Sequence, residues 1–409
     1  MSGKVIVIGA GAAGLMAAGN LAENGKDVLL IERNDRVGKK LLITGKGRCN
    51  LTNNSDIDNL IMSIPRNGNF LYSSFYNFSN LDIIDFFSKN GLELKNERGG
   101  RVFPKSDSAK DVVDLLYNYC KGNGVKILFE SKVTDIIIQN KKVSGVKLYN
   151  GKIIKCCSVI LATGGYSYPK TGSDGSGHDL LRKIGHNIKK IQPSLIPLLT
   201  KEKWVKDLQG LSLKNISVMF KNKNNKKIFS EFGEMIFTHF GVSGPVILSG
   251  SCHLLNDNFR DMYIYIDLKP ALDEKKLEDR IIRDFVKYSR KQIKNALDDL
   301  LPKKLIPVII SLSGIPEDKF VNQITKKERL LLVKLLKGLK LEIIGSRDIS
   351  EAIITAGGVS IDEIESYSME SKLVKGLYVI GELLDVDGYT GGYNLTVAFS
   401  TAMMAVKSI

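Results

Sequence analysis

Residues Lys4–Gly14 read KVIVIGAGAAG, and the fold is decided there. Lys4 to Ile8 is a short apolar, β-branched run of the kind that fills a buried parallel strand. It leads straight into Gly9-Ala10-Gly11-Ala12-Ala13-Gly14, a GxGxxG, and then into the small-residue helical pattern LMAAGNLAENG. A second apolar run, Asp27–Ile31, ends at Glu32, eighteen residues after Gly14. Strand, glycine turn, helix, strand and acid are together the context in which this motif binds a dinucleotide. Gly9 permits the tight turn, Gly11 lets the backbone approach a pyrophosphate, and Gly14 allows close helix–strand packing. The helix N-terminus, with Ala12 and Ala13 in its first turn, supplies free N–H groups and positive potential. Glu32 is expected to take the ribose hydroxyls of an adenosine half.

The next stretch, residues 33–53, reads RNDRVGKKLLITGKGRCNLTN. It sets Arg33, Arg36, Lys39, Lys40, Lys46 and Arg48 among Gly38, Gly45 and Gly47, with polar Thr44, Asn50 and Asn53. A basic, glycine-rich loop directly after the ribose acid suits FAD, an extended dinucleotide whose second half runs beneath the sheet. Cys49 lies inside this loop, where a small residue for tight packing is expected. The far end of the chain holds a matching piece. Leu377–Ile380 is another short buried strand, followed by GELLDVDGYTGGYNLTVAFSTAMMAV. Gly381-Glu382 ends the strand, Asp385 and Asp387 lie in the loop, and Gly391-Gly392 opens a helix from about Asn394. Such a helix N-terminus can face the flavin C2 carbonyl and N1 and stabilise the reduced, anionic ring. A third strand, Ser158–Ala162, runs into Thr163-Gly164-Gly165-Tyr166-Ser167-Tyr168-Pro169. Val125–Glu130 and Val133–Gln139 also read as strands; the first could extend the sheet, and the backbone of Val133 could meet the adenine.

The set GAGAAG, GKKLLITGKGRCNLTN, GRVFPKSDSA, LATGGYSYPKTGSDGSG, FTHFGVSGP, TAGGVS and GLYVIGELLDVDGYTGGYNL resembles the BaiN-like family of NAD(P)/FAD-dependent oxidoreductases. That family includes flavoproteins described as aminoacetone oxidases and as reductases of bile-acid intermediates. The resemblance spans almost the whole chain. It implies an α/β fold with a Rossmann-like FAD-binding domain of the GR2 type, interrupted by an inserted domain made of a small β-barrel and a helical part. It also implies that Ala13, Glu32, Arg33, Lys40, Thr44, Arg48, Asn50, Val133, Gly381, Glu382, Asp387, Gly392, Asn394 and Leu395 lie along the FAD. Thr44 stands where the resemblance leads one to expect Ser, and the hydroxyl is kept.

The expected division is 1–195 plus 341–409 for the FAD-binding domain, 196–270 for the barrel-like insert and 271–340 for the helical insert. Leu211–Phe220, Ile228–Phe237 and Met262–Leu268 read as strands, the first two joined by the polar tip KNKNNKK. From Leu272 to Lys340 the apolar spacing turns helical, punctuated by Pro302, Pro307 and Pro316. The 409 residues carry a formal net charge of +15, and residues 200–340 hold 27 Lys plus Arg against 17 Asp plus Glu. These charges are mostly lysines scattered on helices between acids, without aromatic interleaving. Solvated faces are therefore expected there rather than a nucleic-acid surface.

Five cysteines without a CxxC argue against a disulfide framework, a structural zinc and a dithiol relay. Cys156 and Cys157 read as neighbours in a strand, on opposite faces. The four histidines lack ligand spacing, so no metal is expected. No apolar run reaches membrane-spanning length and the opening lacks a signal-peptide plan, which points to a soluble cytoplasmic protein.

His239, at a strand end in FTHFGVSGP, and Tyr168, beside a glycine loop, are the candidate catalytic acids or bases; Tyr393 is a similar case. With one dinucleotide fingerprint only, NAD(P)H would dock transiently as electron donor. The expected activity is hydride transfer between the N5 of non-covalently held FAD and a small organic substrate. Alternatives are an amine oxidase releasing peroxide and, in another class, a flavoprotein that binds or modifies RNA.

Overall fold

Five parallel strands form the central sheet of the first unit of the computed structural model, which describes residues 3–257, 259 and 261–409. Their spatial order is Leu377–Val379, Ser158–Leu161, Val5–Ile8, Val28–Ile31 and Lys126–Leu128. In chain order this is 5-4-1-2-3, the doubly wound arrangement in which the topology reverses beside the first strand. Val5–Ile8 is buried at every position because it pairs on both sides, with Ser158–Leu161 and with Val28–Ile31. Each such side chain contributes roughly 1.5–3 kcal/mol by leaving water. The run Val125–Glu130 supplies the edge strand that the sequence suggests.

The helix Ala12–Glu23 follows the first strand and is buried from Ala13 to Leu21. It packs between Ala109–Gly122 and the C-terminal helix Tyr393–Ser408. Small residues make this possible: a Cβ on Gly14 would lie 1.8 Å from the carbonyl oxygen of Gly9. An antiparallel meander, Val133–Gln139, Lys142–Leu148 and Ile153–Lys155, lies between the edge strand and Ser158–Leu161 in the chain. Cys156 and Cys157 differ from expectation: they form the linker between the meander and the sheet. Cys156 N–H donates to Ser144 and Cys157 N–H to Lys4, so the backbone splits its bonds between two sheets. This unit runs to Ser194 and resumes at Ile349.

The second unit is Leu195–Asp348. Six strands close a barrel in the order Leu198–Thr200, Gly241–Ser243, Lys227–Phe237, Ser212–Asn222, Met262–Asp267 and Leu339–Ser346. Alternation sends Val218, Phe220, Ile264, Ile266, Leu341 and Ile343 inward. Between the last two strands lie the helices Glu274–Lys287, Ile306–Ser313 and Lys326–Lys337. Their starts are chemical: Asp273 caps the first, Pro307 opens the second, and Thr325 with Glu328 forms a capping box on the third.

One expectation fails here. The lysines of this unit do interleave with aromatic rings, because strand pairing and the turn after Glu274–Lys287 bring them together: Lys340 Nζ lies 3.9 Å from the Tyr263 ring centre and Lys291 Nζ 4.4 Å from that of Tyr288. Linear spacing hides this.

Candidate cofactor and active site

The sheet reverses between Val5–Ile8 and Ser158–Leu161, the position at which sheets of this topology take a dinucleotide. Gly9 has φ of +102°, and a Cβ there would lie 2.6 Å from the Ala162 carbonyl oxygen and 3.0 Å from Cα of Thr163. Gly11 differs: it caps the helix, and a Cβ on it would meet nothing within 4 Å. No side chain caps that helix. Its first-turn N–H groups, from Ala12 and Ala13 onward, therefore have no side-chain acceptor, and the residue before them leaves room for close approach.

Glu32 stands at the end of the second strand of the sheet. It is 6% exposed, and its Oε2 accepts the N–H of Ala10 at 2.7 Å. Its Oε1 accepts the backbone N–H of Asn34 at 2.9 Å and the side-chain amide at 2.7 Å. A carboxylate offers about four acceptor sites, so capacity for a hydroxyl remains. The N–H of Ser131 donates to the carbonyl of Glu32 at 3.0 Å, which brings the start of Val133–Gln139, with buried Val133, to the same end.

Four cations of the basic loop make ion pairs with carboxylates of the protein. Arg33 pairs with Asp174, Lys39 with Asp35 and Lys40 with Glu382. Arg48 pairs with Glu97 and Asp107 and lies 4.1 Å over the Phe103 ring. The pairs of Arg33, Lys40 and Arg48 fasten the loop to the rest of the first unit, while Lys39–Asp35 lies within it. Gly38 and Gly45 take positive φ, and Gly38 N–H donates to the Ala10 carbonyl, tying the loop to the glycine turn. Thr44 Oγ1 donates to Leu41, and Cys49 is wholly buried, its thiol pushed up to about 12 by burial.

The C-terminal piece meets this loop directly. Lys40 Nζ lies 2.6 Å from Glu382 Oε2, while Glu382 Oε1 accepts Ser167 Oγ at 3.1 Å and Thr355 N–H at 2.9 Å. Asn53 donates to the carbonyl of Gly391 at 3.1 Å, and Thr52 and Thr396 hydroxyls are 2.7 Å apart. Gly392, φ +103°, starts the Tyr393–Ser408 helix with no side-chain cap, and Leu395 stands in its first turn. A Cβ on Gly392 would lie 2.4 Å from the Thr52 carbonyl.

Other expected site residues are engaged elsewhere. Asn394 holds the loop, accepting Gly388 N–H and donating to Gly388 carbonyl, both at 2.8 Å. Asp387 is 1% exposed and accepts Arg66 Nε at 2.9 Å and Ser194 Oγ at 2.6 Å, burial pushing its carboxyl upward. Arg66 and Ser194 carried no sequence signal, since their partner Asp387 lies 321 and 193 positions away; Ser167 and Thr355 stand in glycine-containing motifs, but nothing local pairs them with Glu382.

Two buried polar atoms lack partners where a ligand would need them: Oδ1 of Asn50 and Oγ1 of Thr163. Gly164 and Gly165 follow Thr163, and Tyr168, φ +53°, is half-buried with its phenol pushed upward by burial. With the uncapped helix starts, the open face at Gly11 and buried Glu32, this donor and acceptor set fits FAD. His239 belongs to the second unit. It is exposed at the turn after Lys227–Phe237, its ring edge-on to Phe240. Among the described residues no cluster of three or more His, Cys, Asp or Glu could hold a metal ion, and no helix is long and apolar enough to cross a membrane.

The HI0933-like protein Rossmann domain matches residues 3–408. The chain belongs to that family. Similar over nearly their whole length are the ribosomal RNA dihydrouridine synthases of Haemophilus influenzae (33% identical, 99% of this chain and 98% of the relative) and Escherichia coli (31%, 99% and 97%). The 3-dehydro-bile acid delta(4,6)-reductase of Clostridium scindens is 30% identical over 99% and 98%. The fold is shared with 3-ketosteroid delta1-dehydrogenase of Sterolibacterium denitrificans (TM-score 0.55, 13% identical, 99% and 98% covered). This HI0933-like chain is a FAD-dependent oxidoreductase.

Proposed function

We propose that the chain reduces a carbon–carbon double bond conjugated to a carbonyl, and that its substrate is a uracil base in RNA. One observation carries this: the near full-length relatives bear the names of a dihydrouridine synthase and of a delta(4,6)-reductase, and both names denote saturation of such a bond. Charge favours the RNA side. A net +15, with +10 in residues 200–340, suits a polyanion better than a small lipid acid.

When bound, FAD supplies the hydride for such a bond and recovers it from NAD(P)H docked transiently. The chain's part is to bind and orient. The N-terminus of Ala12–Glu23 would face the pyrophosphate and Glu32 the ribose, with Val133 at the adenine. The uncapped start of Tyr393–Ser408 would place positive potential where the ring gains charge. Saturation also needs a proton on the neighbouring carbon. Tyr168 and His239 are the candidates; a phenol is a proton donor at neutral pH, and burial pushes that of Tyr168 further upward. Such an enzyme works in the cytoplasm, where its RNA is.

The test is anaerobic incubation of FAD-loaded protein with NADH or NADPH and undermodified ribosomal RNA, followed by nucleoside mass spectrometry. Dihydrouridine that appears only with protein and donor is the expected result. Flavin bleached by the nicotinamide without any new dihydrouridine would overturn the RNA assignment. Peroxide formed from an aliphatic amine would instead select the oxidase.

A further inference from the structure

Resting on the RNA substrate proposed above, we infer that the outer face of the barrel along Met262–Asp267 is a docking strip for single-stranded RNA. Alternation puts Met262, Ile264 and Ile266 inside the barrel and leaves Tyr263 and Tyr265 half-exposed outside. The two rings stand two residues apart on one face, about 6.7 Å along the strand, a step that successive bases of an extended strand can span. Pairing then brings cations to them from both neighbours. Tyr263 lies opposite Lys221 on one side, and Tyr265 lies opposite Lys340 on the other. Lys340 Nζ sits 3.9 Å from the Tyr263 ring centre and 5.9 Å from that of Tyr265, which Lys221 Nζ approaches to 5.0 Å.

The charges around the strip are sorted so that these two cations stay available. Glu342 is taken by Lys201, Asp261 by Lys223 and Asp267 by Lys337. Among the described residues neither Lys221 nor Lys340 joins an ion pair. The strip continues into the turn joining Ser212–Asn222 to Lys227–Phe237, where exposed Lys226 and Lys227 extend the positive track. Aromatic faces take bases of any sequence, lysines take the intervening phosphates, and a barrel's outer face offers both in register. A protein partner would call for apolar area instead; this face offers two half-exposed phenols between ammonium groups.

The experiment measures fluorescence anisotropy of a labelled oligouridylate of about twelve nucleotides on the FAD-loaded full chain over a range of salt. Tyr263→Leu and Tyr265→Leu keep a large apolar residue on the strand, and far-UV circular dichroism with urea unfolding of the full chain reports that the barrel of each variant is folded. Each is expected to weaken binding roughly fivefold to a hundredfold with the salt slope unchanged. The double variant Lys221→Gln, Lys340→Gln is expected to lower that slope by about 1.4, as for two phosphate contacts on a single strand. Wild-type affinity in all variants, or no binding by the wild type, overturns the strip. So does tyrosine-independent binding that heparin abolishes, which is polyanion attraction only. If ribosomal RNA is reduced while strip variants bind normally, the strip falls and the substrate stands. Strip-dependent binding without any dihydrouridine formed does the reverse.

Discussion

Lys40 Nζ lies 2.6 Å from Oε2 of Glu382, although 342 positions separate the two residues. The same ammonium donates to Ser167 Oγ at 2.6 Å, so one cation joins the basic loop, the loop after Ser158–Leu161 and the C-terminal glycine segment. Both side chains are 21% exposed, and solvent screens the pair only in part. Lys40→Met leaves Glu382 a half-buried carboxylate without its counter-charge. The expected cost is about 1–2 kcal/mol of stability, with FAD held roughly tenfold more weakly. Urea unfolding and a flavin fluorescence titration measure the two effects; wild-type values in both would show the pair to be dispensable.

Two glycines of one motif should fail in different ways. Gly14→Ala puts a methyl 1.8 Å from a backbone oxygen and should prevent folding of the first unit. Gly11→Ala meets nothing in the protein, so urea stability should stay within about 0.5 kcal/mol of wild type. Its methyl would stand where the cofactor backbone must approach, and the purified variant should be colourless. A yellow Gly11→Ala protein would contradict the placement of the pyrophosphate.

Burial pushes the thiols of Cys49 and Cys120 up to about 12. At pH 8 only about one molecule in ten thousand then carries a thiolate at either site. Iodoacetamide should leave both unmodified in the native protein and label them after unfolding. Peptide mass mapping reads this directly, and a labelled native Cys49 would refute its burial.

Glu328 contributes a pH-dependent term to the second unit. Lys319 hydrogen bonds at 2.7 and 2.9 Å, with the Thr325 N–H at 2.8 Å, lower its carboxyl from 4.5 to about 2. The folded state favours the ionised form, so the stabilisation is complete above about pH 4.5 and disappears as pH falls towards 2. Solvent reaches the side chain, which is 24% exposed, and the screened benefit is about 1 kcal/mol. The stability difference between wild type and Glu328→Gln should therefore shrink between pH 6 and pH 3. A constant difference would assign the effect to packing.

The strands at Val5–Ile8, Val28–Ile31, Ser158–Leu161 and Leu377–Val379 were legible because each is an apolar run with glycine or an acid within three residues of its end. The helix starts at Ala12 and Tyr393 were legible from the glycines before them. The acids that hold the basic loop were not. Asp174, Glu97 and Asp107 look like any surface carboxylate until folding sets them beside Arg33 and Arg48. Asn394 and Asp387 sit in a recognisable motif, yet their side chains hold Gly388, Arg66 and Ser194.

What the chain determined by itself was local: hydrophobic period, glycine where the backbone must turn or be approached, and an acid at a strand end. These depend on a residue and its near neighbours, so they can be read in order. Tertiary structure decided which charge meets which, and which lysines lie over Tyr263 and Tyr265. Ion pairs and ring contacts depend on distances of a few ångströms between residues far apart in the chain, and only strand register and packing set those distances.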